Sequence, residues 1–217
     1  MKQESLSVTN NDPFADSRPT AIYVHGLASG AYSRTFRDIS LRFPQFMWAM
    51  AEFGEDLAEN VEHLNRLIAQ LNPALIVGTS MGGLTVLYAD APEAVKIVCN
   101  PALSIADCVR NRIGLGTHPY LCARLDDATE FELTEEMCRK YERYIATHKP
   151  LLGRDSYAIF AANDELLGVE ASARAQLLLA ECGYTTIVDP DGQHRLQPST
   201  LNIFAKNILD NEYFSGM

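Results

Sequence analysis

The chain has 217 residues, of which 47% are apolar, and it carries a formal net charge of −10. This length and composition are typical of one globular domain, or of one domain with an inserted lid. The negative charge excludes nucleic acid as a partner, because its phosphates would repel the protein. No apolar stretch is long enough to predict a membrane span, and the polar start of the chain does not predict a secretory signal.

The cysteines and histidines of the sequence indicate the redox compartment of the protein and whether a metal site is to be expected. The five cysteines include no C-x-x-C pair, which favours reduced thiols in a cytoplasm over a disulfide framework or a zinc site. We interpret these cysteines as small core residues. The five histidines show no metal-binding spacing such as H-E-x-x-H. These patterns favour a cytoplasmic protein and do not predict a metal site.

The first part of the chain alternates predicted strands and helices. Residues 1–18 are polar and rich in Asn, Asp and Ser, and we expect a flexible arm there. Beyond the arm, short apolar runs predict strands, and apolar residues at helical spacing predict helices. In chain order these are a strand over 20–24, a helix within 32–42, a strand over 46–50, a helix over 57–71 and a strand over 74–77.

The run Gly78-Thr79-Ser80-Met81-Gly82 follows the strand over 74–77 and precedes a predicted helix over 84–89. It fits the pattern G-x-S-x-G in the strand-to-helix context that a nucleophile elbow needs. Such a sharp turn leaves no room for side chains beside the serine, which explains both glycines. The Ser80 hydroxyl would then stand above the sheet, at the positive end of the next helix. An ordinary glycine-rich turn is the alternative interpretation.

The alternation resumes after one long interruption. A strand is predicted over 95–99, and the segment 101–155 that follows it is longer than a plain crossover. We interpret this lid segment as a cover over the site, with one helix over 135–147; a crossover packed on the sheet edge is the alternative. It holds nearly half of the Lys and Arg residues, which is typical of a solvated face of mixed charge. The remaining elements are a strand over 157–162, a helix over 170–181, a strand over 185–188 and a helix over 199–209.

The predicted strands are nearly continuous apolar runs, as expected when helices cover both faces of a sheet. Alternating strands and helices predict an α/β fold with a mostly parallel, doubly wound sheet. Ligands of such folds bind at the carboxyl edge of the strands. We therefore expect an arm over 1–18 and a single domain over 19–217 that includes the lid segment.

Two later residues fit the partners that a serine nucleophile needs. Asp164 and His194 each follow a predicted strand, so both would reach the carboxyl edge where Ser80 lies. The chain order serine, acid, histidine is a known order for a catalytic triad. His194 would accept the Ser80 proton, and Asp164 would orient the imidazole. The other carboxylates that compete for the place of the acid are Glu165, Asp189 and Asp191.

An oxyanion hole needs two N–H donors that point at the developing charge. The first is expected to be the main chain of Met81, the residue after the nucleophile. The second would come from the loop after the first strand, where Leu27 is our choice and Ala28 is the alternative. We interpret His25, in the same loop, as a residue that braces the loop rather than as a second base.

Together these motifs resemble the α/β-hydrolase superfamily and, within it, the small YqiA-like esterase family. The matching pieces are residues 22–26, 78–83, 99–102, 163–165 and 192–194. The resemblance implies a compact sheet with a short helical lid, hydrolysis of short-chain acyl esters, and no metal or cofactor. It also implies catalytic roles for Ser80, Asp164 and His194. The loop over 27–30 and the arm before residue 19 depart from the family pattern.

The sequence therefore predicts a serine hydrolase that cleaves short-chain carboxylic esters through an acyl-enzyme. Its expected partner is a small ester or thioester molecule, with no nucleic acid and no membrane. An acyl thioesterase with the same triad is one alternative, and a non-catalytic ligand-binding protein on the same fold is another. A protein that only binds has no need of all three triad groups, which favours the enzyme.

Overall fold

The computed structural model describes residues 18–206, together with 7–8 and 214. The strands of this part of the chain are β1 (Ser7–Val8), β2 (Thr20–Val24), β3 (Met47–Met50), β4 (Leu75–Thr79), β5 (Val95–Cys99), β6 (Gly116–Pro119), β7 (Glu130–Leu133), β8 (Ser156–Asn163) and β9 (Thr185–Gln193). Seven of them form one sheet in the order β1-β3-β2-β4-β5-β8-β9. Neighbours from β3 to β9 pair in parallel, and β1 pairs with β3 antiparallel.

Helices cover both faces of this sheet. They are α1 (Arg34–Arg42), α2 (Leu57–Leu71), α3 (Met81–Tyr88), α4 (Ile105–Cys108), α5 (Glu135–Thr147), α6 (Val169–Glu181) and α7 (Pro198–Phe204), with a π-helical turn, Val109–Ile113, directly after α4. Alternate residues of β2 belong to different layers, since Ile22 packs with α2 and α3 whereas Ala21 packs with α1 and α7. This is the doubly wound α/β arrangement that the sequence predicted.

Two elements near the site have bounds that differ from the prediction. Helix α3 begins at Met81 rather than at 84, because the chain passes from the turn at Ser80 directly into the helix. Strand β9 continues to Gln193 rather than ending at 188, and residues 190–192 bulge where its pairing with β8 is irregular. The apolar run ends at Val188, and the extension contains Pro190, which has no N–H to donate to a ladder. The sequence pattern therefore did not predict that the strand continues.

The lid segment contains more structure than the single helix that was predicted. Besides α5 it holds α4, the π-helical turn and a separate antiparallel hairpin formed by β6 and β7. Five of its eight basic residues form ion pairs with carboxylates, and Arg110, for example, binds both Glu135 and Glu142 of α5. The role of this segment as a lid stays a prediction.

Most of the expected arm over 1–18, and the end of the helix predicted over 199–209, lie outside the described residues. Within the described part of the chain, no helix is long and apolar enough to cross a membrane. The same residues contain no group of three or more His, Cys, Asp and Glu that could hold a metal ion. Cys99, Cys108 and Cys138 are buried, as predicted for core residues, whereas Cys122 and Cys182 are only half-buried.

Candidate active site

Ser80 lies at the sharp turn between β4 and α3. Its backbone has φ 55° and ψ −119°, which residues other than glycine rarely adopt. Its N–H donates to the carbonyl of Cys99 at 2.9 Å. Its own carbonyl accepts from the N–H groups of Leu84 at 2.9 Å and Ala102 at 3.2 Å. Hydrogen bonds on both sides of the turn therefore maintain the strained conformation that presents the hydroxyl.

The two glycines beside Ser80 allow a close approach of main chains. A β-carbon on Gly78 would lie 2.5 Å from the carbonyl oxygen of Gly82. A β-carbon on Gly82 would lie 2.1 Å from the carbonyl oxygen of Val24. Both distances are far shorter than any carbon contact that a folded protein tolerates. The prediction that this turn needs glycine at both positions is confirmed.

His194 lies between Ser80 and Asp164. Its Nε2 is 3.0 Å from Ser80 Oγ, and its Nδ1 is 2.9 Å from one carboxylate oxygen of Asp164 and 3.1 Å from the other. When Nδ1 carries the ring proton and donates a hydrogen bond to the carboxylate, Nε2 is unprotonated and can accept the proton of the Ser80 hydroxyl. The structure thus brings together three residues that strand-end positions had placed at one edge of the sheet.

The carboxylate of Asp164 is fully buried, and the side chain of His194 is 11% exposed. One oxygen of Asp164 also accepts main-chain N–H groups from Leu166 at 3.0 Å and Leu167 at 2.7 Å. Burial acts to raise the pKa of Asp164, but the hydrogen bonds from His194 and from these two N–H groups hold it below its usual value. The carboxylate is therefore ionised at neutral pH and can stabilise a positive charge on the imidazole.

The other carboxylates that were considered for the acid lie elsewhere. Glu165 accepts the main-chain N–H of His194 at 3.0 Å, so it holds the loop rather than the ring. Asp189 is buried and accepts hydroxyl groups from the first turn of α7 at 2.8 and 2.6 Å. Asp191 is exposed. Among these candidates, Asp164 is the one that contacts the His194 ring.

Asn100 belongs to this site, although no role was predicted for it from the sequence. Its side chain is buried, and its Nδ2 donates to the carbonyls of Gln193 and His194, both at 3.1 Å. Its Oδ1 accepts the N–H of Ala161 at 2.7 Å. One amide thus joins the ends of β5, β8 and β9. The available signal was a polar residue directly after a buried strand and before Pro101.

The loop over 26–31, here called the oxyanion loop after the role predicted for Leu27, lies against Ser80. A β-carbon on Gly26 would be 3.2 Å from the β-carbon of Ser80. The loop begins with a turn closed by the N–H of Ser29 and the carbonyl of Gly26 at 3.2 Å, and Ala28 in this turn has φ 61°. Leu27, predicted as the second oxyanion donor, therefore lies in the loop that packs on Ser80.

Met81, predicted as the first oxyanion donor, is the first residue of α3. The first hydrogen bond of this helix turn runs from Leu84 to the carbonyl of Ser80. The N–H groups before it have no partner within the helix, so they are available to an anion. Whether Met81 and Leu27 bind an oxyanion stays a prediction.

His25 braces the oxyanion loop, as the sequence predicted. Its Nδ1 donates to the carbonyl of Gly26 at 3.0 Å, and its Nε2 accepts the N–H of Phe53 at 3.0 Å. The side chain is 3% exposed. Both ring nitrogens therefore form hydrogen bonds with main-chain groups, one within the loop and one in the segment after β3.

The parallel sheet covered by helices, with a strained serine between a strand and a helix, has the architecture of the α/β-hydrolase fold. The chain belongs to the uncharacterised protein family UPF0227, whose model matches residues 20–203. This is the YqiA-like family that the sequence motifs resembled. No curated protein matches the sequence of this chain.

Solved structures with the same fold have little sequence in common with this chain. The mouse α/β-hydrolase domain-containing protein 10 superposes with a TM-score of 0.62 and 13% identity, covering 92% of this chain and 95% of that one. A monoacylglycerol lipase from Paleococcus ferrophilus has a TM-score of 0.58 and 15% identity, with 99% and 96% covered. Est1E from Butyrivibrio proteoclasticus has a TM-score of 0.57 and 16% identity, with 87% and 84% covered. At such identities the likeness establishes the fold alone.

Proposed function

We propose that this chain is a serine hydrolase that cleaves carboxylic esters with short acyl chains. The observation that carries the proposal is the path of hydrogen bonds from Ser80 through His194 to Asp164, at 3.0 and 2.9 Å. A hydroxyl is a poor nucleophile at neutral pH, and it gains reactivity when a base at this distance takes its proton. The monoacylglycerol lipase among the similar structures supports an ester as the substrate.

Acylation begins when Ser80 Oγ attacks the carbonyl carbon of the ester. His194 Nε2 takes the hydroxyl proton, and the ionised Asp164 stabilises the imidazolium that forms. The carbonyl oxygen becomes an oxyanion, which would receive the main-chain N–H groups of Met81 and Leu27. Collapse of this intermediate releases the alcohol, which takes its proton from His194, and leaves an ester on Ser80.

Deacylation repeats the same steps with water as the nucleophile. His194 accepts a proton from the water, which attacks the acyl carbon attached to Ser80. The second tetrahedral intermediate then collapses, and Ser80 Oγ leaves with the proton from Nε2. The products are one carboxylic acid and one alcohol for each ester consumed.

The proposal also covers the lid segment, the cellular compartment and the leaving group of the substrate. The lid segment would cover bound substrate and exclude water from it. The five unpaired cysteines support a location in the cytoplasm, because a reducing compartment keeps thiols free. A thioester presents the same kind of acyl carbon to Ser80. The assay must therefore determine whether the preferred leaving group is an alcohol or a thiol.

The test combines a fluorophosphonate probe with p-nitrophenyl esters from acetate to octanoate and matched acyl thioesters. We expect the wild type to be labelled and to hydrolyse the short esters, and Ser80→Ala to lose both activities while it keeps its circular dichroism spectrum. Ser40→Ala is the control, because the Ser40 hydroxyl lies on α1 and donates only to the carbonyl of Arg37. Labelling that survives in Ser80→Ala would contradict the mechanism. A folded wild type that neither labels nor turns over substrate would favour a ligand-binding protein.

A further inference from the structure

A buried ion pair lies behind the oxyanion loop. Nη1 of Arg124, in the lid segment, is 3.2 Å from Oε2 of Glu52, which follows β3, and the two side chains are 3% and 10% exposed. Burial acts to raise the pKa of Glu52, but the His25 ring, whose Nε2 lies 3.2 Å from Oε2, and two main-chain N–H groups that donate to Oε1 hold it below its usual value. Buried charges are costly unless other polar groups compensate them, so their remaining partners are informative.

Arg124 uses its guanidinium to connect the lid segment with the oxyanion loop. Nη1 donates to the carbonyl of Ser29, in the loop, at 2.9 Å and to the carbonyl of Phe53 at 3.2 Å. Nε and Nη2 bind the carboxylate of Asp126 at 3.0 and 2.9 Å. The guanidinium also lies 4.1 Å from the centre of the Tyr120 ring. These contacts fix the plane of the guanidinium so that one edge faces the loop.

Glu52 makes the matching connection from the sheet. Its Oε1 accepts the N–H of Ala31, at the end of the oxyanion loop, at 2.9 Å and the N–H of Leu125 at 3.0 Å. A main-chain bond from the N–H of Leu121 to the carbonyl of Ala28, at 2.8 Å, adds to this connection. The loop is thus held at 28, 29 and 31 by groups that belong to 121–125 and to the ion pair.

The oxyanion loop is packed directly on the ion pair. A β-carbon on Gly30 would lie 3.0 Å from Cγ of Arg124 and 3.2 Å from Oε1 of Glu52. Ala28 has φ 61°, a conformation that an alanine in an unconstrained loop rarely keeps. The shape of the loop therefore depends on the contacts that surround it.

We propose that Arg124 and Glu52 are positioning residues that hold the oxyanion loop in the geometry needed for hydrolysis. The inference rests on the proposed function and acts through the N–H of Leu27. It also makes 121–125 a fixed brace rather than a moving part of the lid. Because negative charge develops on the carbonyl oxygen only after Ser80 attacks it, a displaced loop slows the reaction without weakening substrate binding.

The first test compares Arg124→Met with Arg110→Met, which makes the same change in the same segment. Arg110 binds Glu135 and Glu142 on α5 and so serves as the control. We expect Arg124→Met to lower kcat for a p-nitrophenyl ester about 10- to 100-fold and to change KM by less than about threefold. The inhibition constant of a phenylboronic acid should rise with the fall in kcat, because its adduct on Ser80 places an oxygen at the oxyanion site. Arg110→Met should stay within about twofold of the wild type.

A second pair of variants keeps the test decisive if Arg124→Met does not fold. Glu52→Gln retains an oxygen for the two N–H groups, whereas Glu52→Ala removes it, so the glutamine variant should keep more of the wild-type kcat. Equal kcat in both Glu52 variants and in the wild type would overturn the inference, as would a fall in kcat without weaker boronate binding. An unlabelled wild type would overturn the proposed function, and the inference with it. A labelled, active wild type with unaffected Arg124 and Glu52 variants would overturn the inference alone.

Discussion

The side-chain amide of Asn100 donates a hydrogen bond to the main-chain carbonyl of His194 at 3.1 Å, across 94 positions of the sequence. The same amide binds the carbonyl of Gln193 and the N–H of Ala161. The position of the imidazole therefore depends on a buried residue outside the proposed triad.

Replacing Asn100 by aspartate tests this dependence. Aspartate has the same size and tolerates the observed φ of 45°, but its carboxylate would face two carbonyl oxygens. We expect Asn100→Asp to lower kcat about 10- to 100-fold with little change in KM, because the ring is displaced and the substrate contacts are kept. Steady-state kinetics on p-nitrophenyl acetate would measure both constants. Asn65→Asp is the control, because the Asn65 oxygen accepts the N–H of Asp90 and a carboxylate can do the same; equal kinetics of the two variants would contradict the role of Asn100.

The acid of the proposed triad can be identified by paired substitutions. Asp164→Asn keeps the shape of the side chain but removes the negative charge beside the imidazolium. We expect a loss of roughly 10³- to 10⁴-fold in kcat, the size of effect found when the acid of a serine protease triad is neutralised. Asp191→Asn, at an exposed position, should leave kcat unchanged. A large loss of kcat in Asp191→Asn, with unchanged kcat in Asp164→Asn, would show that the assignment of Asp164 is wrong.

The tight packing of the elbow predicts a large difference between two glycine substitutions. Gly82→Ala would force a β-carbon against the carbonyl oxygen of Val24, whereas a β-carbon on Gly54 would meet no atom within 4 Å. We expect Gly82→Ala to lower the free energy of unfolding by about 3 kcal/mol and Gly54→Ala to change it by less than about 0.5 kcal/mol. Urea unfolding at equilibrium would measure both. Similar stabilities would mean that the elbow can relax around a side chain.

Lys96 gives the stability of the protein a dependence on alkaline pH. This lysine of β5 is fully buried, and its Nζ donates to the carbonyls of Ala89 at 2.5 Å and Leu151 at 2.9 Å. Burial lowers its pKa from the usual 10.5 to about 8. Between these values the unfolded chain binds more protons than the folded one, so the stability contributed by this position rises with pH.

The measurement is the free energy of unfolding of the wild type and of Lys96→Met at several values of pH. Relative to the variant, the wild type should gain about 1–3 kcal/mol between roughly pH 7.5 and pH 10. Lys149→Met, at an exposed lysine, is the control and should show no such trend. A difference that stays flat, or that falls with pH, would show that Lys96 is charged in the folded protein.

Local signals were sufficient for the parts of the fold nearest the nucleophile. An apolar run followed by G-x-S-x-G predicts a strand and a tight turn from neighbouring residues alone, and β4 and α3 flank Ser80 as expected. The edge of the sheet that holds Asp164 and His194 followed from a topological rule about parallel strands. Neither inference requires knowledge of distant contacts.

Long-range contacts explain what the sequence did not reveal. The hairpin of β6 and β7 has strands of four residues, one of which includes Pro119, and Phe131 and Leu133 become buried only when it packs on the core. Isolated Glu and Arg residues are usually exposed, so the pattern around Glu52 or Arg124 gives no reason to expect burial. Their pairing depends on a fold that brings β3 and the lid segment together.

Every residue of α3 is buried, from Met81 to Tyr88, whereas the side chains of Leu115 and Leu121 in the lid segment are 50% and 67% exposed. A substitution on α3 would disturb the packing beneath the nucleophile, but these two leucines can be exchanged without opening a cavity. Changes of the side chains at 115 and 121 therefore cost little packing, provided that the main-chain bond from Leu121 to Ala28 is kept. The helix behind the proposed nucleophile is thus the part of the protein least free to diverge, and the exposed leucines of the lid segment can vary without altering its packing.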